Sequence, residues 1–342
     1  MTTAILDPRD DARWLRLVER APQTTIFHHP LWLGLVTRQY RYPIAAATVL
    51  DASGEAVAGL PVALVASRLT GRRLVALPFS DACPPLVAQD APGDTAERLA
   101  AVVEDLRRRR GVPVEVRGAF PALAVPVERF LQHRVDLTPG LEEVERGYAS
   151  QVRRNVRKAR REDVEVRRRV DAEALEEFYA LHLRTRRRLG VPTQPKAFVR
   201  GLAGLLQRGH GFVSIARLAG RPVAAAVFLH AGATLTYKYG ASDPEFQQAR
   251  PNNLLFADAI AWACDERLRE LDLGRTDLGH EGLRAFKRSW GAAETPLAHT
   301  YAGGPAPSPG PSLAERVLAP VIRRGPALTG RVIGEVLYRH AG

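Results

Sequence analysis

Phe212-Val-Ser-Ile-Ala-Arg-Leu-Ala-Gly-Arg-Pro-Val-Ala-Ala-Ala-Val-Phe-Leu229 reads as two apolar strands joined by a turn at Ala219-Gly220-Arg221, where glycine supplies the positive φ a tight hairpin needs. A third strand at 234–239, a loop at Ser242-Asp-Pro, a helix over about 253–268 and a strand at 270–273 follow. The same order occurs earlier in the chain. Strands at 44–50, 57–66 and 73–77 enclose the turn Asp51-Ala-Ser-Gly54, and a loop Pro78-Phe-Ser-Asp-Ala-Cys-Pro-Pro, a helix at 95–110 and a strand at 114–117 complete it. Two passes through one β-β-β-loop-α-β pattern predict an internal duplication, and hence an α/β (α+β) fold of two similar domains. Each would be a mixed, mainly antiparallel sheet flanked by helices.

The chain of 342 residues, 46% hydrophobic and 25% charged, is long enough for two globular cores and excludes a disordered or fibrous protein. Division is expected at 1–138 and 139–302, with a basic helical segment at 141–189, a Pro/Gly linker at 303–312 and an amphipathic tail at 313–342. No apolar run approaches the roughly 20 residues of a membrane span. The start, Met1-Thr-Thr-Ala-Ile-Leu-Asp-Pro-Arg-Asp, is acidic where a secretory signal would be basic, so a cytoplasmic protein is expected, with membrane contact at the inner face if any. Cys83 and Cys264 are isolated, which predicts neither a disulfide nor a metal site.

The net charge of +12 favours an anionic partner. Its densest expression is Gln151-Val-Arg-Arg-Asn-Val-Arg-Lys-Ala-Arg-Arg161, where Val152, Val156 and Ala159 recur at helical spacing beneath the cations. Exposed helices usually interleave carboxylates, and none occurs here before Glu162. Arg153, Arg154, Arg157 and Lys158 are therefore expected to bind anions: tRNA phosphates, a pyrophosphate or anionic lipid. With no aromatic platform nearby, base reading and a DNA partner are not expected.

Gln247-Gln-Ala-Arg-Pro-Asn-Asn253 opens the helix after the third strand, where backbone N–H groups and the helix dipole can hold a pyrophosphate. The stretch has no glycine, and Pro251 removes one donor. Together with Leu77-Pro-Phe-Ser-Asp-Ala-Cys-Pro-Pro-Leu86, Tyr237-Lys-Tyr-Gly-Ala-Ser-Asp243 and Asp272-Leu-Gly-Arg-Thr-Asp277 followed by Arg284-Ala-Phe-Lys-Arg-Ser-Trp-Gly291, the sequence resembles the FemAB-like, or BioF2-like, branch of the GNAT acyltransferase superfamily, from about Phe27 to Tyr301.

That resemblance implies two tandem GNAT-like domains and transfer of an acyl or aminoacyl group to an amine of a peptidoglycan or polysaccharide precursor. It implies that Lys287, after Phe286, lies near the transferred acyl group, and that Tyr237, Tyr239 and Asp81 line the acceptor site. Lys287, Tyr239 and Asp81 are the expected catalytic residues; Tyr237, Arg186, Arg275, Asp277, Phe286 and Asn252 are expected to bind substrate. The alternation Tyr237-Lys238-Tyr239 would put both tyrosines on one strand face. Each residue also has a structural alternative: an exposed lysine, core tyrosines, a turn-capping aspartate.

The long arm with which bridge enzymes dock tRNA is not found in this sequence. The acyl donor is thus left between aminoacyl-tRNA and acyl-CoA, with no tightly bound cofactor expected. Two other functions stay open: acyl-CoA-dependent N-acetylation of a small molecule, and a non-catalytic anion-binding protein. In the tail, Leu313, Val317, Leu318, Val321 and Ile322 fall on one helical face flanked by Arg316, Arg323 and Arg324. That face would meet either anionic lipid or the body of the protein.

Overall fold

The computed structural model describes residues 1–307, 313–326 and 328–340. They form two compact units: Met1–Phe130 with Pro296–Pro309 and Tyr338–Gly342, and Leu131–Thr295 with Gly310–Leu337. Neither unit is continuous in sequence, which a division at 138/139 does not anticipate.

The first unit runs β1 (Thr2–Leu6), α1 (Ala12–Arg20), α2 (Pro30–Tyr40), β2 (Ile44–Leu50), β3 (Ala56–Ser67), β4 (Gly71–Ala76), β5 (Leu86–Val87), α3 (Thr95–Arg110) and β6 (Val114–Val116). The order β1-β2-β3-β4 is antiparallel throughout, and β6 then pairs parallel to β4 after the α3 crossover. Leu60, Val62, Leu74, Leu99 and Val103 fill the core between sheet and α3. Then β7 (Pro126–Asp136) leads into the second unit.

There α4 (Leu141–Arg146), α5 (Ser150–Arg161), β8 (Glu165–Arg169), α6 (Ala172–Leu189), α7 (Lys196–Gly201), α8 (Ala203–Leu206), β9 (Gly211–Leu218), β10 (Arg221–Ala231), β11 (Thr234–Ser242), α9 (Pro251–Asp265), β12 (Glu270–Asp277) and α10 (Glu281–Arg288) follow. The pattern of the first unit returns. β8, β9, β10 and β11 pair antiparallel in turn, and β12 pairs parallel to β11 after the α9 crossover. The last strand, β13 (Ala293–Ala302), ends in the first unit, where Thr300, Tyr301 and Ala302 pair with Val116, Glu115 and Val114 of β6. Val152, Val156 and Ala159 of α5 are buried as their spacing predicts, against a core holding Phe228, Phe256, Ile260 and Trp290.

Two tail helices, α11 (Leu313–Arg324) and α12 (Thr329–Leu337), pack back onto α6. Thr193 N–H donates to the Gly330 carbonyl at 2.9 Å, and Arg323 Nη2 donates to the Leu189 carbonyl at 3.1 Å. Gly334 has to be glycine, because a Cβ there would collide with the Thr193 carbonyl. The single apolar face expected for the tail is divided instead. Ile322 is fully buried while Val317 and Val321 point to solvent, as neighbours about 100° apart around a helix can. The Leu313 side chain and residues 308–312 of the expected linker lie outside the described residues. Among those residues no helix is long and apolar enough to cross a membrane.

Candidate active site

In the second unit, β11 and β12 pair over only three positions, Thr234–Glu270, Leu235–Leu271 and Thr236–Asp272. Beyond them each strand continues unpaired with the other, so the sheet opens into a wedge at the C-terminal ends of two parallel strands, where α/β folds place ligands. Two local features build it. On β12, Gly274 has φ +73 and its N–H donates to Asp272 Oδ1 at 2.7 Å, which bends the strand. The other oxygen of this buried carboxylate accepts from Gln132 Nε2 at 2.9 Å. On β11, the register slips at Val227/Phe228, so Lys238 is the extra residue of a β-bulge.

The bulge corrects the expectation that Tyr237 and Tyr239 share a face. One inserted residue reverses the alternation, and Tyr237 pairs across to Phe228 while Tyr239 pairs to Val227. Tyr237 packs on Phe256 of α9, with ring centroids 4.7 Å apart, and burial pushes its hydroxyl up to about 12. Tyr239 turns to the α6 side, among Phe178, His182 and Phe198.

Lys287 is buried at the wedge. Its ammonium donates to the carbonyls of Gly274 at 2.7 Å and Arg275 at 3.1 Å, just beyond the paired stretch of β12. Phe286, half-exposed, packs edge-on against Phe256, which links it to Tyr237. Behind Lys287, His133 Nε2 meets Glu294 Oε2 at 3.0 Å, and Arg284 grips Glu294 at 2.7 and 3.1 Å. Arg284, then His133 and the Arg288 charge, hold the Glu294 carboxyl at about 2, while burial and the Lys287 charge push the His133 imidazole down. A buried cation is thus fixed at the wedge and backed by a satisfied polar network.

On the other face, His182 Nε2 contacts Gln194 Oε1 at 2.6 Å. The carboxamide oxygen only accepts, so Nε2 carries the proton and Nδ1 keeps its lone pair. Nδ1 has no hydrogen-bond partner among the described residues, and burial lowers this imidazole to about 4. The apolar spacing of α6 marks His182 as inward; Gln194, which sets its tautomer, carries no such mark.

The other expected residues fare differently. Asn252 lies in the first turn of α9, after Arg250 in a left-handed cap (φ 57) and Pro251. Arg275 supplies the carbonyl to Lys287. Asp277 is exposed at the end of β12, its carbonyl accepting from His280 N–H at 2.9 Å. Arg186 donates to the Pro192 carbonyl at 2.9 and 2.8 Å, closing the turn after α6. Asp81 belongs to the first unit. On α5, Arg153 is spent on the carbonyls of Arg146 and Tyr148, Arg154 donates to Gln151 Oε1 at 2.7 Å, and Lys158 stands 3.9 Å from Glu162. Arg154, Arg157, Arg160 and Arg161 line a groove of about 460 Å³.

Residues 146–288 match the family model of the acetyltransferase (GNAT) domain. This part of the chain is a GNAT-type domain. The GNAT domain so delimited holds the wedge, Lys287, both tyrosines, His182 and α5. The fold is that of FemX, whose crystal structure superposes with a TM-score of 0.71 at 14% identity over 87% of this chain and 96% of that one. L-PGS from Bacillus licheniformis is also similar, with a TM-score of 0.55 at 14% identity over 97% and 98%. So is a tandem GNAT protein from the clavulanic acid biosynthesis pathway, at 0.51 and 12% over 89% and 100%. No curated protein matches in sequence. Outside the GNAT domain, Cys83 Sγ lies 3.4 Å from His28 Nε2, a pair their distance in sequence hides. Burial raises the thiol and lowers His28 to about 4, and neither is exposed, so the pair packs rather than reacts.

Proposed function

We propose that the wedge transfers an aminoacyl group from a tRNA ester to an amine of a cell-envelope precursor. The observation that carries this reading is the buried Lys287 ammonium fixed where β11 and β12 part. The amine nitrogen bonds to the carbonyl carbon, and negative charge gathers on the carbonyl oxygen. Lys287 offsets that charge. The ester C–O bond then breaks to give the amide and a free ribose hydroxyl. His182 Nδ1 accepts the proton lost by the amine, and Tyr239 beside it gives one to the leaving oxygen.

Two observations favour a tRNA ester over acyl-CoA as donor. The start of α9 offers few N–H groups to a pyrophosphate, with Pro251 at its first position and the Asn253 N–H already donating to the Arg250 carbonyl at 3.0 Å. The α5 groove offers four arginines to a polyanion. The envelope acceptor is supported by the fold shared with the C-terminal domain of a putative lysylphosphatidylglycerol synthetase of Agrobacterium fabrum (TM-score 0.55, 13% identity).

Incubation with charged tRNA pools and envelope precursors, read by mass spectrometry, tests the reaction. An amide-linked aminoacyl adduct is expected. An acyl adduct formed only from acyl-CoA, with a matching thermal shift by acyl-CoA, would overturn the donor assignment.

A further inference from the structure

We propose that the outer face of the tail hairpin, α11 with α12, docks on an anionic lipid surface. The inner face is already used: Ile322 is buried, and Gly330 and Gly334 close against Thr193. The outer face is not. Val317, Val321, Leu328, Val332 and Val336 are 50–62% exposed, spaced at i,i+4 along α11 and from Leu328 into α12. Leu189, half-exposed at the end of α6, adjoins them where Arg323 reaches its carbonyl. Six large apolar side chains on adjoining elements are more than the scattered exposure normal for a globular surface.

The rim decides what covers this face. Arg316, Arg323 and Arg324 are exposed on α11 and Arg331 is half-buried on α12, with Arg188 exposed beside Leu189. The Glu335 carboxylate is engaged by the Lys196 N–H at 3.2 Å. Apolar side chains ringed by arginines suit the boundary between acyl chains and anionic headgroups, each cation adding roughly fivefold to partitioning. A second copy is disfavoured, because a two-fold contact would set arginine against arginine. Docking is peripheral, since neither helix is long enough to span. The inference stands apart from the aminoacyl-transfer reading, because it concerns a face outside the wedge and its test needs no substrate.

The full chain is mixed with sucrose-loaded vesicles of phosphatidylcholine, with or without phosphatidylglycerol, and sedimented. It is expected to pellet with the phosphatidylglycerol vesicles and to stay in the supernatant with phosphatidylcholine alone. V321D/V332D, which alters two side chains at least half exposed, is expected to lower binding at least tenfold at unchanged melting temperature. Should that variant unfold, R324Q/R331Q reads the same face through its charge. Failure of the wild type to pellet overturns the proposal, as does full binding by both variants. Loss of binding in R154E/R157E alone would overturn it in favour of α5, and a wild-type dimer dissolved by V321D/V332D in favour of a second copy.

Discussion

Lys287 shows what a motif conveys and what it leaves out. Phe286-Lys287 singles out the residue, but nothing in the sequence says that its ammonium is buried between two strand carbonyls. If Lys287 offsets oxyanion charge, Lys287→Met should cut kcat on the order of 10²–10³-fold. Loss of its two hydrogen bonds should also cost about 1.5–3 kcal/mol of stability. Turnover is therefore measured well below the variant's melting temperature, and wild-type turnover there would make the lysine purely structural. His182 makes a second prediction. Its folded value, about 4, lies below the unfolded 6.5, so the unfolded chain binds the proton more readily. Stability should be full above pH 6.5 and fall as the pH drops towards 4. His182→Gln should flatten part of that decline in melts recorded across the window, leaving the similar contribution of His28. A proton-accepting His182 would also put the acid limb of kcat/KM near 4, and a limb near 6.5 would exclude it.

At the scale of elements, periodicity locates what is regular and buried. The strand at 44–50 and the helix at 95–110 appear with the bounds the apolar spacing predicts, because packing and caps agree there. Short or half-polar edge strands such as β1 and β8 carry no strong period, and β7 and β13 are recognisable only once their partners are known. The bulge at Lys238 is illegible for a different reason: one inserted residue follows from cross-strand pairing, which lies outside the local sequence. The tail shows the same limit, since its spacing names an apolar face without saying which part finds a partner. Gly334→Val should force α12 away from Thr193, lower the melting temperature by several degrees and speed proteolysis of the tail. An unchanged melt would mean that the docking contributes little.

Over the whole molecule, the duplication was legible because five elements recur in order, and both units repeat the parallel pair that closes each pattern. The wedge and the arginines of α5 belong to one of them, and salt reports on that charge. Binding of tRNA should weaken linearly with log salt, and R154E/R157E/R161E should reduce the slope by about 2. An unchanged slope would place the anion site elsewhere. What sequence order concealed is that β13 closes the first unit, beside β6. This has a consequence for synthesis on the ribosome. The strand that covers the β6 edge leaves the exit tunnel only after the entire GNAT domain has been translated. Throughout that interval the amino-terminal sheet presents open backbone donors and acceptors, the template on which nascent chains mispair. Slow codons or a chaperone between Val116 and Thr300 should therefore govern the yield of folded protein more than either unit's own stability does.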